Sequence, residues 1–205
     1  MKLSLYIPII ITLFISGCSH TVDIPPSQEQ LLREAYTSSV DKSQREYFVY
    51  LPRGYEDKPD KKWPVMLFLH GNGERGNGKD ELDFVITHGP LYEAWVQKKN
   101  LPFIIISPQL HMFGFDKKGI GYIDNRLKSN IPKRLAIGVP QRAPAFSTQG
   151  DIQRTPSLKQ MSDVAPLLTQ GWELLEADLL AMLDSVQKKY RANAKKTYLT
   201  GLSYG

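Results

Sequence analysis

Residues 201–205 read Gly-Leu-Ser-Tyr-Gly, a serine with a glycine two places to either side, and they directly follow the β-prone run Thr197–Thr200. A serine hydroxyl becomes a useful nucleophile when the backbone lifts it clear of its surroundings and a base can take its proton. A strand running into a tight, strained turn does the lifting, and glycines at 201 and 205 let neighbouring elements close in where a side chain would collide. Ser203 is therefore the candidate nucleophile.

A serine that attacks a carbonyl builds negative charge on oxygen, and that charge needs N–H donors already in place. One donor is expected on the residue after the nucleophile, Tyr204. The other calls for a glycine-rich loop after an earlier strand, and Leu-His-Gly-Asn-Gly-Glu-Arg-Gly at 69–76 supplies one. Asn72 is the candidate donor there, with Gly73 as the alternative. His70 reads as a brace for the loop rather than a proton carrier. Glu74 and Arg75 either pair with each other and hold the loop or stand as two solvated charges. The same glycines suggest a phosphate loop, but no Gly-Lys-Ser/Thr follows and Lys79 precedes Asp80. His20, His88 and His111 show no metal-ligand spacing with one another or with carboxylates, so neither a metal nor a cofactor is expected.

These residues need a scaffold to bring 69–76 beside 201–205. Tyr47–Leu51 alternates, is rich in aromatic and β-branched residues, and stops at Pro52, which predicts a strand. Val65–Leu69 and Phe103–Ser107 are continuous apolar runs, suited to strands buried on both faces. Leu91, Ala94 and Trp95 predict a short helix within 89–100. Trp172, Leu175, Leu179, Leu183, Val186 and Tyr190 recur every three or four residues and predict an amphipathic helix over 171–190. The alternation implies a mostly parallel sheet flanked by helices, an α/β protein in three layers. Residues 110–170 break the alternation, with prolines at 132, 140, 144, 156 and 166. The segment is too long for an ordinary connection, and is either a lid over the site or an excursion without a role.

The chain has 205 residues, enough for one domain with its own core, and a formal net charge of +5. Its basic residues form scattered doublets such as Lys61–Lys62 and Lys195–Lys196, with no aromatic-spaced basic ladder, so no nucleic-acid partner is expected. The N-terminus carries Lys2, an apolar run from Leu3 to Ile15, then Ser16-Gly17-Cys18. That run suits a signal-peptide core and is too short to span a bilayer. Cys18 is the sole cysteine, which rules out an internal disulfide. Residues 19–44 are polar, contain Pro25-Pro26, and read as a tether.

Ile15-Ser16-Gly17-Cys18 resembles the lipobox of bacterial lipoproteins. The resemblance implies a signal peptide over 1–17, lipidation of Cys18, a tether over 18–44 and a location in the bacterial cell envelope, with Ser19 suggesting the outer membrane. The stretches 49–76, 87–90, 103–109 and 197–205 together resemble the α/β-hydrolase superfamily. More narrowly they are similar to bacterial esterases of the phospholipase/carboxylesterase and dienelactone-hydrolase-like groups, related to polyhydroxybutyrate-depolymerase and feruloyl-esterase forms. The resemblance covers about 45–109 and 171–205 and leaves 110–170 as an insertion in a partial hydrolase domain, 45–205. It implies Ser203 as nucleophile, Asn72 and Tyr204 as oxyanion donors, and a small-molecule ester as substrate. In the family pattern an acid and then a histidine follow the serine, and none follows here, so the chain is expected to be an N-terminal portion, inactive and poorly soluble alone. A non-catalytic binding lipoprotein and a prolyl-oligopeptidase-like peptidase are the alternatives.

Overall fold

The structure is a computed structural model and describes residues 25–138 and 171–205. Cys18, His20 and the stretch 139–170 lie outside the described residues.

Five strands form one sheet: β1 (Gln30–Thr37), β2 (Gln44–Leu51), β3 (Trp63–Leu69), β4 (Ile104–Ser107) and β5 (Ala192–Gly201), in the order β1-β2-β4-β3-β5. The sheet is mixed. The β4, β3 and β5 strands run parallel, as the apolar runs imply, whereas β2 pairs antiparallel with both β1 and β4. Alternate residues feed two cores. Tyr47, Val49, Leu51, Ile104 and Ile106 face one side, where Met182 and Val186 of the long helix, and Leu175 just before it, cover them. Phe48, Tyr50, Phe68 and Ile105 face the other, under Leu82, Leu91 and Val96. Helices on both faces of the sheet make three layers, the α/β class expected.

The segment 89–100 forms less helix than its spacing suggests. The short α1 (Gly89–Leu91) runs straight into a π-helical turn at Tyr92–Val96. Gly89 sits at φ +74°, and a Cβ there would lie 2.3 Å from the Phe68 ring, so the element starts hard against the sheet. A second short helix, α2 (Gly121–Asp124), follows β4. The long helix α3 (Glu176–Lys189) begins after a 3-10 turn at Trp172–Leu175, and Glu176 and Asp178 at its start and Lys188 and Lys189 at its end complement its dipole.

The tether expected over 18–44 is corrected by the structure, because β1 occupies 30–37. It reads as polar because it is an edge strand with one half-exposed face. Leu32 and Tyr36 still pack on the main core. Arg33 bridges Glu46 at 2.9 Å and Asp83 at 2.6 Å, and such charges blunt an edge against further pairing. The hairpin is pinned to α3 through buried Asp178, which accepts from Ser39 N–H at 2.8 Å and Ser38 Oγ at 3.2 Å.

Candidate active site

The β3 and β5 strands are parallel neighbours, with Leu69 opposite Gly201. Two loops therefore leave the same end of the sheet side by side, the end at which α/β sheets bind their ligands. The ladder continues one step into the loops, where Leu202 N–H donates to Leu69 O at 3.0 Å. The chain then reverses in a turn closed by Gly205 N–H to Leu202 O, also 3.0 Å. Ser203 sits in this turn at φ +57°, in the left-handed region that a serine enters only under constraint. The flanking glycines are sterically required. A Cβ on Gly205 would lie 1.9 Å from Leu69 O, and one on Gly201 2.3 Å from the Gly205 carbonyl carbon. Ser203 is exposed.

The glycine-rich loop meets this turn at Gly71, whose added Cβ would lie 3.3 Å from Ser203 Cβ and 3.5 Å from Leu202 O. Asn72–Glu74 then forms one 3-10 turn. Its internal bonds run from Glu74 N–H to Gly71 O and from Arg75 N–H to Asn72 O, both 3.4 Å. The N–H groups of Asn72 and Gly73 precede those bonds and have no place in the turn's own ladder. In a trans peptide N–H and C=O point opposite ways, so whatever holds Gly71 O aims the Asn72 N–H, and whatever holds Asn72 O aims the Gly73 N–H.

His70 holds Gly71 O. It is buried, with Nε2 2.9 Å from Leu110 N and Nδ1 2.7 Å from Gly71 O. Leu110 N–H only donates, so Nε2 accepts and Nδ1 carries the proton it gives to Gly71 O. Burial pushes the His70 pKa down to about 3, which keeps the ring neutral, and Trp172 packs edge-on at 4.9 Å. The brace reading of His70 agrees with this geometry.

Glu74 and Arg75 are neither paired with each other nor solvated. Glu74 is buried and its Oε1 accepts a short hydrogen bond from His88 Nδ1. Arg75 is fully buried; its Nε donates to Asn72 Oδ1 at 2.8 Å and its Nη1 to His111 O at 2.7 Å. The guanidinium stacks 4.2 Å from the Phe115 ring centre and 5.2 Å from that of Tyr204, and it hydrogen-bonds the Tyr204 phenol. Burial and the Glu173 carboxylate push that phenol's pKa up, with Arg75 opposing them. Arg75 thus ties the candidate donor loop to the residue after Ser203. The Glu-Arg spacing suggested a local pair, but three and four bonds of side chain let both groups reach past each other to separate partners.

Two further residues that sequence reasoning missed hold the loop. Gln109, fully buried after β4, donates to Glu74 O at 2.8 Å and Glu81 O at 2.7 Å and accepts from Gly78 N–H at 2.8 Å. Its signal was present in the Ser-Pro-Gln of 107–109. Arg126, from the described half of the 110–170 insertion, donates through Nη1 to Gly73 O at 3.2 Å and, in a short bond, to Arg75 O. Its Nη2 reaches Glu81 at 3.3 Å. Nothing in its local sequence marked it. The described part of the insertion, 110–138, packs on the rest of the protein: Arg126 reaches the loop, and Leu135 N–H donates to Val96 O at 2.9 Å.

Among the described residues neither His88 nor His111 hydrogen-bonds Ser203 Oγ. His111 stacks on Phe113 at 5.3 Å and faces Ser38 and Asp41, and burial pushes its pKa down to about 4. Among the described residues no cluster of three or more His, Cys, Asp or Glu side chains is arranged to hold a metal. No described helix is long and apolar enough to cross a membrane.

No family model matches the sequence, and no curated protein matches it. Solved structures do. One is a thermostable esterase, 18% identical with a TM-score of 0.41, in a match covering 85% of this chain and 35% of the other. Another is a CE1 ferulic acid esterase from the anaerobic fungus Anaeromyces mucronatus, 20% identical with a TM-score of 0.35, covering 91% and 53% respectively. A third is a ferulic acid esterase, 21% identical with a TM-score of 0.36, covering 87% and 52%. The chain spans about a third to a half of the length of these proteins.

Proposed function

We propose that this chain carries the nucleophile and oxyanion hole of a serine hydrolase of the α/β-hydrolase type that acts on carboxylic esters. The observation that carries the reading is Ser203 at φ +57° in a turn packed on Gly71, where a Cβ would lie 3.3 Å from that of the serine. Ser203 Oγ attacks the ester carbonyl, the alcohol leaves, and water releases the acyl group from the serine. The N–H groups of Tyr204 and of Asn72, or Gly73 beside it, receive the oxyanion. Arg75 and His70 hold these donors before substrate arrives, which is what makes such a hole effective. His70 is not the general base, because both its nitrogens are engaged by the backbone.

Lipidation of Cys18 would hold the enzyme at the bacterial envelope, with the acyl chains supplying the anchor. The support for this part is the sequence of residues 2–19 alone.

A fluorophosphonate probe tests the nucleophile. Labelling at Ser203 in a form of the protein that turns over ester, abolished by Ser203→Ala, is the expected result; labelling elsewhere or none at all in that form sinks the assignment. Globomycin-sensitive processing and labelling of Cys18 with a fatty-acid probe in a bacterial host test the anchor. A comparison of aryl esters with peptide amides separates esterase from peptidase.

A further inference from the structure

Lysine doublets that lie far apart in the sequence converge in the fold. Lys61–Lys62 runs straight into β3, Lys98–Lys99 comes shortly before β4, and Lys188–Lys189 closes α3. Lys195–Lys196 falls in β5 between the partners of Trp63 and Val65. Because β3, β4 and β5 are parallel, all these doublets stand at the end of the sheet where the strands begin. Lys133 and Arg134 join them, since Leu135 N–H donates to Val96 O at 2.9 Å and Lys98 Nζ to Ala136 O at 2.6 Å. The connections 52–62, 97–103, 133–138 and 187–196, together with Glu29, carry thirteen basic residues and four acidic ones. At the end where Ser203 lies, 38–43, 70–81, 108–126 and 171–178 carry six basic residues and nine acidic ones, Lys117–Lys118 included. The protein is thus polarised along its strands, positive where they begin and negative at the candidate active site.

The positive end is also where the chain arrives from Cys18. The β2 strand is antiparallel to β4, so Leu51 and its partner Gln30 lie at the end where β4 begins. Just before Gln30 the chain is pinned there: Ser27 N–H donates to Asp57 at 2.7 Å, and Gly54 N–H to Ser27 O at 2.9 Å. Buried Glu29 bridges Arg53 at 3.3 Å and Arg134 at 2.5 Å, and Arg134 lies 3.7 Å over the Trp95 ring. Pro26 follows Cys18 by eight residues, a reach of at most about 29 Å. Beside Arg134, Leu135 and Ile137 are 38% and 84% exposed. Basic and apolar groups side by side suit an anionic bilayer, where the charges meet phosphates and the apolar tips enter the headgroup layer. The field of such a surface fades within about 10 Å. A tether of that reach leaves the domain free to turn, and its charges decide how it settles.

We propose that the end of the sheet bearing these lysines, Leu135 and Ile137 docks on an anionic phospholipid surface and holds Ser203 on the side away from the lipid. The proposal rests on the reading of Cys18 as the anchor for its partner; the charge asymmetry does not. The tether keeps the domain at an effective concentration on the order of millimolar, so a weak surface contact is enough to orient it. The seven residues of β3 put roughly 20 Å between the docked end and the nucleophile. Ser203 then meets esters arriving from the aqueous side rather than the phospholipids beneath it.

The test couples the full chain through the Cys18 thiol to a maleimide-bearing lipid in vesicles and reads lysine acetylation by mass spectrometry. The probes are exposed lysines, Lys62, Lys133 and Lys196 at the docking end and Lys42, Lys79 and Lys117 at the other. With phosphatidylglycerol in the vesicles, the first three are expected to react about fivefold more slowly than with phosphatidylcholine alone, the worth of one basic residue at an anionic surface. The other three are expected to react alike in both, and high salt should remove the difference. Leu135→Ser with Ile137→Asp, both at exposed side chains, should reduce the slowing. Lys195→Glu with Lys196→Glu should reduce it at Lys62 and Lys133, so the outcome does not hang on one variant. Equal rates in the two vesicles, slowing at Lys42, Lys79 and Lys117, or slowing that salt and both variants leave intact overturns the surface. Slowing by a short DNA duplex but not by vesicles also overturns it, in favour of a nucleic acid. The coupling is chemical, so failure of fatty-acid labelling at Cys18 in a host removes the anchor and leaves the surface. A uniform footprint removes the surface and leaves the anchor.

Discussion

Gly71 and Ser203 pack face to face, with the position of a Cβ on Gly71 only 3.3 Å from Ser203 Cβ. They are 132 residues apart in the chain, and the parallel pairing of Leu69 with Gly201 brings them together. A nucleophile and its oxyanion donors must share one face of a carbonyl group, and two loops leaving adjacent parallel strands do this without further machinery. His70, Arg75, Gln109 and Arg126 then hold the first loop in shape.

Gly71→Ala tests that contact. The backbone at Gly71 has φ −78°, which alanine adopts readily, so the new methyl acts through space alone. At 3.3 Å it is tighter than most side-chain contacts, and Ser203 must move by a few tenths of an ångström. Expected is a fall of at least about tenfold in the rate of fluorophosphonate labelling, because small misplacements at reacting atoms are costly. Stability should change by less than about 1 kcal/mol in urea melts. Unchanged labelling would show that Gly71 does not crowd the nucleophile.

Gly205→Ala is expected to behave differently. Its Cβ would lie 1.9 Å from Leu69 O, backbone against backbone, and no rotamer relieves that. The turn must open and lose the Leu202–Gly205 bond. A loss of about 3 kcal/mol or more is expected from overpacking of this kind. Urea or thermal melts measure it, and a variant as stable as the wild type contradicts the geometry.

Where the pattern was periodic, the sequence showed the fold. The core face of α3 followed from Leu179, Leu183 and Val186, and the β3 and β4 runs from residues apolar on both sides. The serine turn and the donor loop were legible because their glycines are set by backbone geometry, which leaves a local mark. The polar edge strand β1 was not legible, since a strand with one solvated face and an ion-paired rim resembles a linker. The supports of the donor loop were hidden for another reason. Arg126 acts 51 residues from Arg75 and His88 acts 14 from Glu74, and such partnerships exist only once the chain is folded.

Arg126→Lys asks whether the insertion governs the oxyanion loop. A guanidinium spans Gly73 O, Arg75 O and Glu81 at once; an ammonium is a single point charge and cannot. In whatever form of the protein turns over ester, kcat is expected to fall about tenfold to a hundredfold while KM shifts far less, as loss of positioning predicts. Added guanidinium ion at millimolar concentration should restore part of the rate of Arg126→Ala. A proportional rise in KM with kcat preserved would instead make Arg126 a substrate-binding residue.

His70 gives the structure a defined acid sensitivity. Its pKa is about 3 in the folded protein and near 6.5 when the chain unfolds, so the unfolded state binds the extra proton first. Stability is therefore fully present above about pH 6.5 and is lost as pH falls toward 3, at up to about 1.4 kcal/mol per pH unit from this group. His111, with its pKa lowered to about 4, adds a slope of the same sign over a narrower window. Urea melts between pH 7.5 and 4 should show the decline, and His70→Gln should flatten it while lowering stability at pH 7.5. Glutamine has one amide to offer in place of the two ring nitrogens, so the Leu110 and Gly71 bonds cannot both keep their geometry. A variant whose pH slope matches the wild type would place the acid sensitivity elsewhere and remove His70 as the buried neutral brace of the oxyanion loop.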